Sequence, residues 1–205
     1  MAITTYAELQ TAVSNWLDRT DLTARVPEFI TIAEAEMNRR VRTLDMLTRN
    51  DAFTIDSQRE DLPTDYLGTK SITLSRTPVV HLVYLTPDRL SQERQRFGSS
   101  GIPIYYTVLG GSFEFLPTPN DTYTASILYF ARLSALSDAN TSNWILASHP
   151  DLYLYGALKA AEPFLHNDER VPLWASLFEQ ALSQLERQDA RAARGVPISR
   201  GRTFG

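Results

Sequence analysis

The chain has 205 residues, 43% of them hydrophobic, with 20 Lys and Arg against 24 Asp and Glu and a formal net charge of −4. That length can bury a core as one domain, or as one domain with a second inserted into it. The acidic balance is the opposite of what a protein gripping a nucleic-acid backbone carries, and the absence of Cys excludes disulfides, thiolate nucleophiles and Cys-ligated zinc.

Packing alone must hold such a fold, which suits a reducing cytoplasm. The opening residues have no basic segment followed by an apolar run, so no signal peptide is expected. No apolar stretch approaches the roughly 18 residues that a membrane helix needs.

Thr5 and Glu8 have capping-box spacing and predict a helix start. Tyr6, Leu9, Val13, Trp16 and Leu17 then recur on one face, and Asp18 to Asp21 reads as a turn. A second helix is expected from Pro27, where the missing N–H costs nothing. Its apolar stripe is Phe29, Ile30, Ala33, Met37, Val41 and Leu44. Glu34, Glu36, Arg39, Arg40 and Arg42 are assigned to a solvated face, or to a contact with a neighbouring subunit.

From about Thr48 the period changes to two. Phe53 and Ile55, Ile72 and Leu74, the run Val79 to Leu85, and Tyr105 to Leu109 all read as strands. Gly110 and Gly111 mark a hairpin into Ser112–Leu116. Thr122 to Arg132 predicts a longer strand, with Tyr123, Ala125, Ile127, Tyr129 and Ala131 on one face. Roughly six strands suggest a small antiparallel sheet or barrel. Thr86 to Phe97 reads as a short helix.

Helical spacing then returns. Ser148, Pro150 and Asp151 form a start signal, and Leu152, Tyr155, Leu158 and Ala161 share a face. Tyr153 and Leu154 add a second apolar edge, which predicts a helix buried on two sides. Pro163 ends or kinks it. Asn167 or Asp168 opens the last helix, whose core face is Val171, Trp174, Leu177, Phe178, Ala181 and Leu185.

The fold class expected is therefore α+β. A four-helix bundle is built from residues 1–47 and 136–193, with a β-rich insertion over 48–135. An extended C-terminal arm follows at 194–205. Arg194, Arg200 and Arg202 can pair with carboxylates on a partner there, and Val196, Pro197, Ile198 and Phe204 supply apolar anchors. Such a segment can order on binding, although a frayed terminus is the plainer reading.

Residues for chemistry are sparse. His81, His149 and His166 have no second ligand at metal-binding spacing. The glycines at 98, 101, 110 and 111 lack phosphate-binding patterns, and no Gly-x-Ser-x-Gly elbow exists. Glu60, Asp61 and Asp65 are the densest acids, but they read as a loop between strands. No catalytic residue, cofactor or metal is assigned. The aromatic pairs Tyr105–Tyr106 and Tyr153–Tyr155, with Trp174, read as core or interface.

One resemblance covers about Tyr6 to Arg194. The run NWILASHPDLYLYGALKAA at 143–161, continuing to DER at 168–170 and Trp174, is similar to the adaptor, or head-to-tail connector, proteins of short-tailed bacteriophages. So are YAEL at 6–9, WL at 16–17 and VPEFITIAE at 26–34. DLPTDY at 61–66 and GGSFEFLP at 110–117 resemble the middle of that family, which includes proteins like tail tubular protein A.

The resemblance implies a non-enzymatic virion protein, assembled in the host cytoplasm after DNA packaging. It implies a ring of roughly twelve copies beneath the portal protein, closed by contacts between neighbouring subunits. Nozzle or tail-fibre proteins would dock on that ring, and DNA would pass through it without sequence-specific binding. Twelve acidic copies would carry roughly −48, a field that discourages DNA from sticking. The rival readings are another nozzle or head-completion protein, a small hydrolase using acidic residues, and a nucleic-acid module using the arginine tail.

Overall fold

The computed structural model describes residues 2–97, 100–165 and 169–193. In chain order the helices are α1 (Tyr6–Leu17), α2 (Val26–Arg40), α3 (Pro87–Arg94), α4 (Trp144–Ser148), α5 (Pro150–Ala160) and α6 (Val171–Ala193). The strands are β1 (Leu47–Ile55), β2 (Arg59–Asp61), β3 (Tyr66–Leu74), β4 (Val80–His81), β5 (Val83–Tyr84), β6 (Tyr105–Leu109), β7 (Ser112–Leu116) and β8 (Tyr123–Ala131). The fold is α+β, in two compact units. The described residues of Met1–Asp45 and Leu133–Gly205 form a helical unit, and those of Met46–Arg132 form a β unit.

In the helical unit, α1 starts with the capping box that its sequence announces. The Glu8 amide donates to Thr5 Oγ1 at 3.3 Å, and Glu8 Oε2 accepts from the Thr5 amide at 3.0 Å. Asp18 ends the helix in the left-handed region at φ 53°, and residues 20–25 form a 3-10 helix rather than a simple turn. Tyr6, Leu9, Val13 and Leu17 are buried. Trp16 is not: it remains 46% exposed, with its ring edge-on to Tyr155 at 6.1 Å. It lies at the margin of the buried stripe, so helical period alone overextends the core.

Helix α2 starts at Val26 and stops at Arg40. Val41 is buried, but Leu44 lies beyond the helix end and is 43% exposed. Helix α5 is central, packed against α1, α2, α4 and α6, with Leu152, Tyr153, Leu154, Gly156, Ala157 and Leu158 all buried. Gly156 permits that packing. A Cβ there would lie 2.9 Å from Ala33 Cβ on α2 and 3.1 Å from the Phe178 ring on α6. Fully buried Phe29 and Phe178 each contribute about 1.5–3 kcal/mol by leaving water.

Ser148 does not cap α5. It is the last residue of α4, and the position before Pro150 is His149, which makes no side-chain cap. The capping residue is Asn143, whose side chain accepts from the Leu146 amide at the start of α4. In α6, Phe178, Ala181, Leu182 and Leu185 are buried, whereas Leu177 is only partly so.

The β unit has two four-stranded sheets, ordered β1-β8-β3-β4 and β2-β7-β6-β5. The described residues hold eight strands rather than six, and the unit is not wholly antiparallel, because β5 runs parallel to β6. The run 79–85 divides between the sheets. The Leu82 amide donates to Ile72 O in the first sheet, and the Val83 amide to Ile104 O in the second, both at 2.9 Å. At the opposite edge, residues 56–58 lead directly from β1 to β2. The chain thus joins the sheets along both edges around a core of Ile55, Ile72, Phe113, Phe115, Ile127 and Tyr129.

Gly110 and Gly111 adopt φ 60° and 85° between β6 and β7, which two-residue hairpins of this hand require. Helix α3 covers part of the second sheet. Leu90 is buried, and Arg94 Nη2 lies 2.6 Å from Glu114 Oε1 on β7.

Candidate interaction surfaces

The acids that sequence spacing groups together are turned to separate structural tasks. Glu60 lies in strand β2, not in a loop, and its Oε1 accepts from the amides of Asp56 and Ser57 at 3.0 and 2.8 Å. Asp61 accepts from the Ser112 hydroxyl at 3.3 Å. Asp65 accepts from the Tyr129 hydroxyl at 3.0 Å. Burial, with Asp65 beside it, pushes the Tyr129 hydroxyl up to about 12. Each of the three carboxylates thus has its own local hydrogen-bond partner.

His81 sits exposed in β4, and His149 joins α4 to α5. His166 lies outside the described residues, as do the arm residues Arg194, Val196, Pro197, Ile198, Arg200, Arg202 and Phe204. Among the described residues, no group of three or more His, Asp or Glu could hold a metal ion. No helix among them is long and apolar enough to cross a membrane.

Glu34 departs most from its expected place. It is buried, at 5% exposure. Its Oε1 accepts from the Leu136 amide at 2.8 Å and from the Tyr153 hydroxyl at 3.0 Å. Asn143 Nδ2 in turn donates to Tyr153 Oη at 2.5 Å and to Ser134 O at 2.9 Å. One turn further along α2, Asn38 Oδ1 accepts from the Leu133 amide at 2.9 Å. The segment 133–143 is therefore fastened to α2 and α5 by side chains. Periodicity contained the signal, since residue 34 is four after Ile30 and three before Met37, on the inward stripe.

The remaining charges on α2 form a second cluster. Arg40 makes a bidentate pair with Glu179 of α6 at 2.6 Å and reaches Glu36 at 3.1 Å. Lys159 of α5 holds Glu36 at 2.8 Å and lies 4.9 Å from the Phe178 ring centre. The Glu179 hydrogen bonds push the Arg40 guanidinium up, and Arg40 holds the Glu179 carboxyl below its usual range. These groups are 38% and 49% exposed, so the pair contributes at most about 1 kcal/mol. The pair ties α2 to α6, and Lys159–Glu36 ties α5 to α2.

Large apolar side chains stand in water on both units. Trp16, Ile32 and Leu173 are 46%, 51% and 56% exposed on helices. Val79, Val83, Tyr84 and Leu109 exceed half exposure on the β unit. The outer face of the first sheet carries an open groove of about 560 Å³, lined by Arg49, Asp51, Ser71, Thr73, His81 and Ser126 among others. These surfaces present contact area.

No curated protein matches the chain. The family model described as SU10 adaptor protein matches residues 4–201, which spans both units. The chain therefore belongs to the SU10 adaptor protein family and is a structural adaptor of the phage head-to-tail type that its sequence resembles.

Proposed function

We propose that the protein forms a ring of roughly twelve copies between the portal and the tail of a short-tailed phage, and that it performs no catalysis. The observation that carries this reading is the family match over residues 4–201, covering helical and β units together. Helices α1, α2, α5 and α6 act as the bundle nearest the portal. The β unit gives nozzle or fibre proteins a platform, and DNA passes through the ring. Exposed Trp16, Ile32 and Leu173 support the reading, because contiguous subunits would take such side chains out of water. The protein assembles in the host cytoplasm and ends in the virion neck.

In this reading residues 194–205 are the portal-docking arm. Val196, Pro197, Ile198 and Phe204 anchor it, and Arg194, Arg200 and Arg202 pair with portal carboxylates. Ring multivalency lets individually weak arm contacts suffice. Sedimentation of the purified chain with isolated portal rings tests this. The full chain is expected to pellet with the portal, and the chain lacking 194–205 to stay in solution with an unchanged thermal melt. A full chain that needs another tail layer before it pellets is a nozzle component, and an arm deletion that still pellets removes the arm's role.

A further inference from the structure

Glu34 is set apart from the other acids of α2 by its surroundings. Among the described residues no Lys, Arg or His forms an ion pair with it. Glu36, two residues along α2, faces Lys159 and Arg40 instead. On α1, Glu8 is bound to Thr4 and Thr5, and Asp138 on the segment 133–143 is exposed. Among the described residues, the titratable group bonded to Glu34 is the Tyr153 hydroxyl. Burial pushes that hydroxyl up, so it keeps its proton and acts only as a neutral donor. Both neutral donors, the Leu136 amide and Tyr153, fall on the same carboxylate oxygen, Oε1.

A buried carboxylate without a counter-charge is costly when ionised and cheap when protonated. Protonation on Oε2 leaves both bonds to Oε1 intact. Ionisation leaves a negative charge whose readiest relief is water. Water gains access when the segment 133–143, whose Leu136 amide lies on Glu34, lifts away. We propose that Glu34 is a proton-operated latch: protonated, it holds segment 133–143 closed on α2 and α5, and ionised, it releases the segment in a local opening. Burial also raises the Glu34 carboxyl above its usual range, with its two hydrogen bonds acting in the other direction, which brings the release toward neutral pH.

The latch has a further dependent. The Tyr6 amide donates to Thr141 O at 2.7 Å, so the first turn of α1 rests on the same segment. Opening therefore frees the start of α1 together with the part of the segment beyond Leu133, while the Asn38 bond to Leu133 stays as the fixed end.

Amide hydrogen exchange on the full chain, corrected for the intrinsic rate at each pH, tests the proposal. Protection of Leu136 and its neighbours is expected to fall severalfold as pH rises through the raised Glu34 value. In Glu34→Gln, which keeps an acceptor oxygen and cannot ionise, protection should stay constant. A flat wild-type profile, or the same fall in Glu34→Gln, overturns the latch. If Glu34→Gln does not fold, Tyr153→Phe decides. Losing a donor to the carboxylate disfavours ionisation, so the midpoint of the fall moves to higher pH, and an unmoved midpoint overturns the proposal.

Discussion

Gly156 illustrates how one residue sets the helical unit. Gly156→Ala improves intrinsic helix propensity by roughly 1 kcal/mol, but the new Cβ would stand 2.9 Å from Ala33 Cβ. Overpacking of this kind typically costs about 1–3 kcal/mol, so a lowered melting temperature is expected by calorimetry, and a raised one shows that α2 and α5 can separate freely. Glu34 gives the second residue-scale expectation. Its pKa in the fold is raised above the usual 4.5, so its contribution is fully present below that value and is lost as pH rises through the raised one. Glu34→Gln should therefore melt higher than wild type near pH 8 and close to it near pH 4. A sequence cannot price that burial: the stripe position was visible, whereas Tyr153, the Leu136 amide and Asn143 come from more than a hundred residues away in the chain.

At the scale of elements, signals carried by adjacent residues were legible and those made by distant ones were not. The capping box of α1, the glycine hairpin and the long strand β8 each follow from a few neighbouring positions. Thr5→Ala removes one half of the capping box, and a loss of about 1 kcal/mol is expected in chemical denaturation. No measurable loss would mean that Glu8 and tertiary packing hold the first turn alone. Strands β2, β4 and β5 span two or three residues each, too few to display a period of two. Leu82 changes sheets within a single residue, and nothing in its neighbourhood marks that exchange. Helix α4 was missed for a similar reason: it spans only five residues just before the start signal at Ser148, Pro150 and Asp151, and its cap, Asn143, lies ahead of it.

For the whole molecule, β1 and β8 explain how a β unit can interrupt a helical one. Leu47 pairs with Phe130, so the strands that begin and end the insertion are hydrogen-bonded neighbours, and the chain leaves close to where it entered. Residues 46–132 alone are expected to unfold cooperatively with native-like near-ultraviolet dichroism; a polypeptide without that signal would show that the β unit depends on the helices. The candidate contact surfaces were less legible than the fold, because exposure of Trp16 and Leu173 depends on which side of each helix the neighbours cover. Electron microscopy of the particle neck, with the chain tagged at its β unit, is the most direct measurement. A closed ring of this protein between portal and tail is expected, and the same density outside the head–tail junction, or isolated copies with no ring, contradicts it.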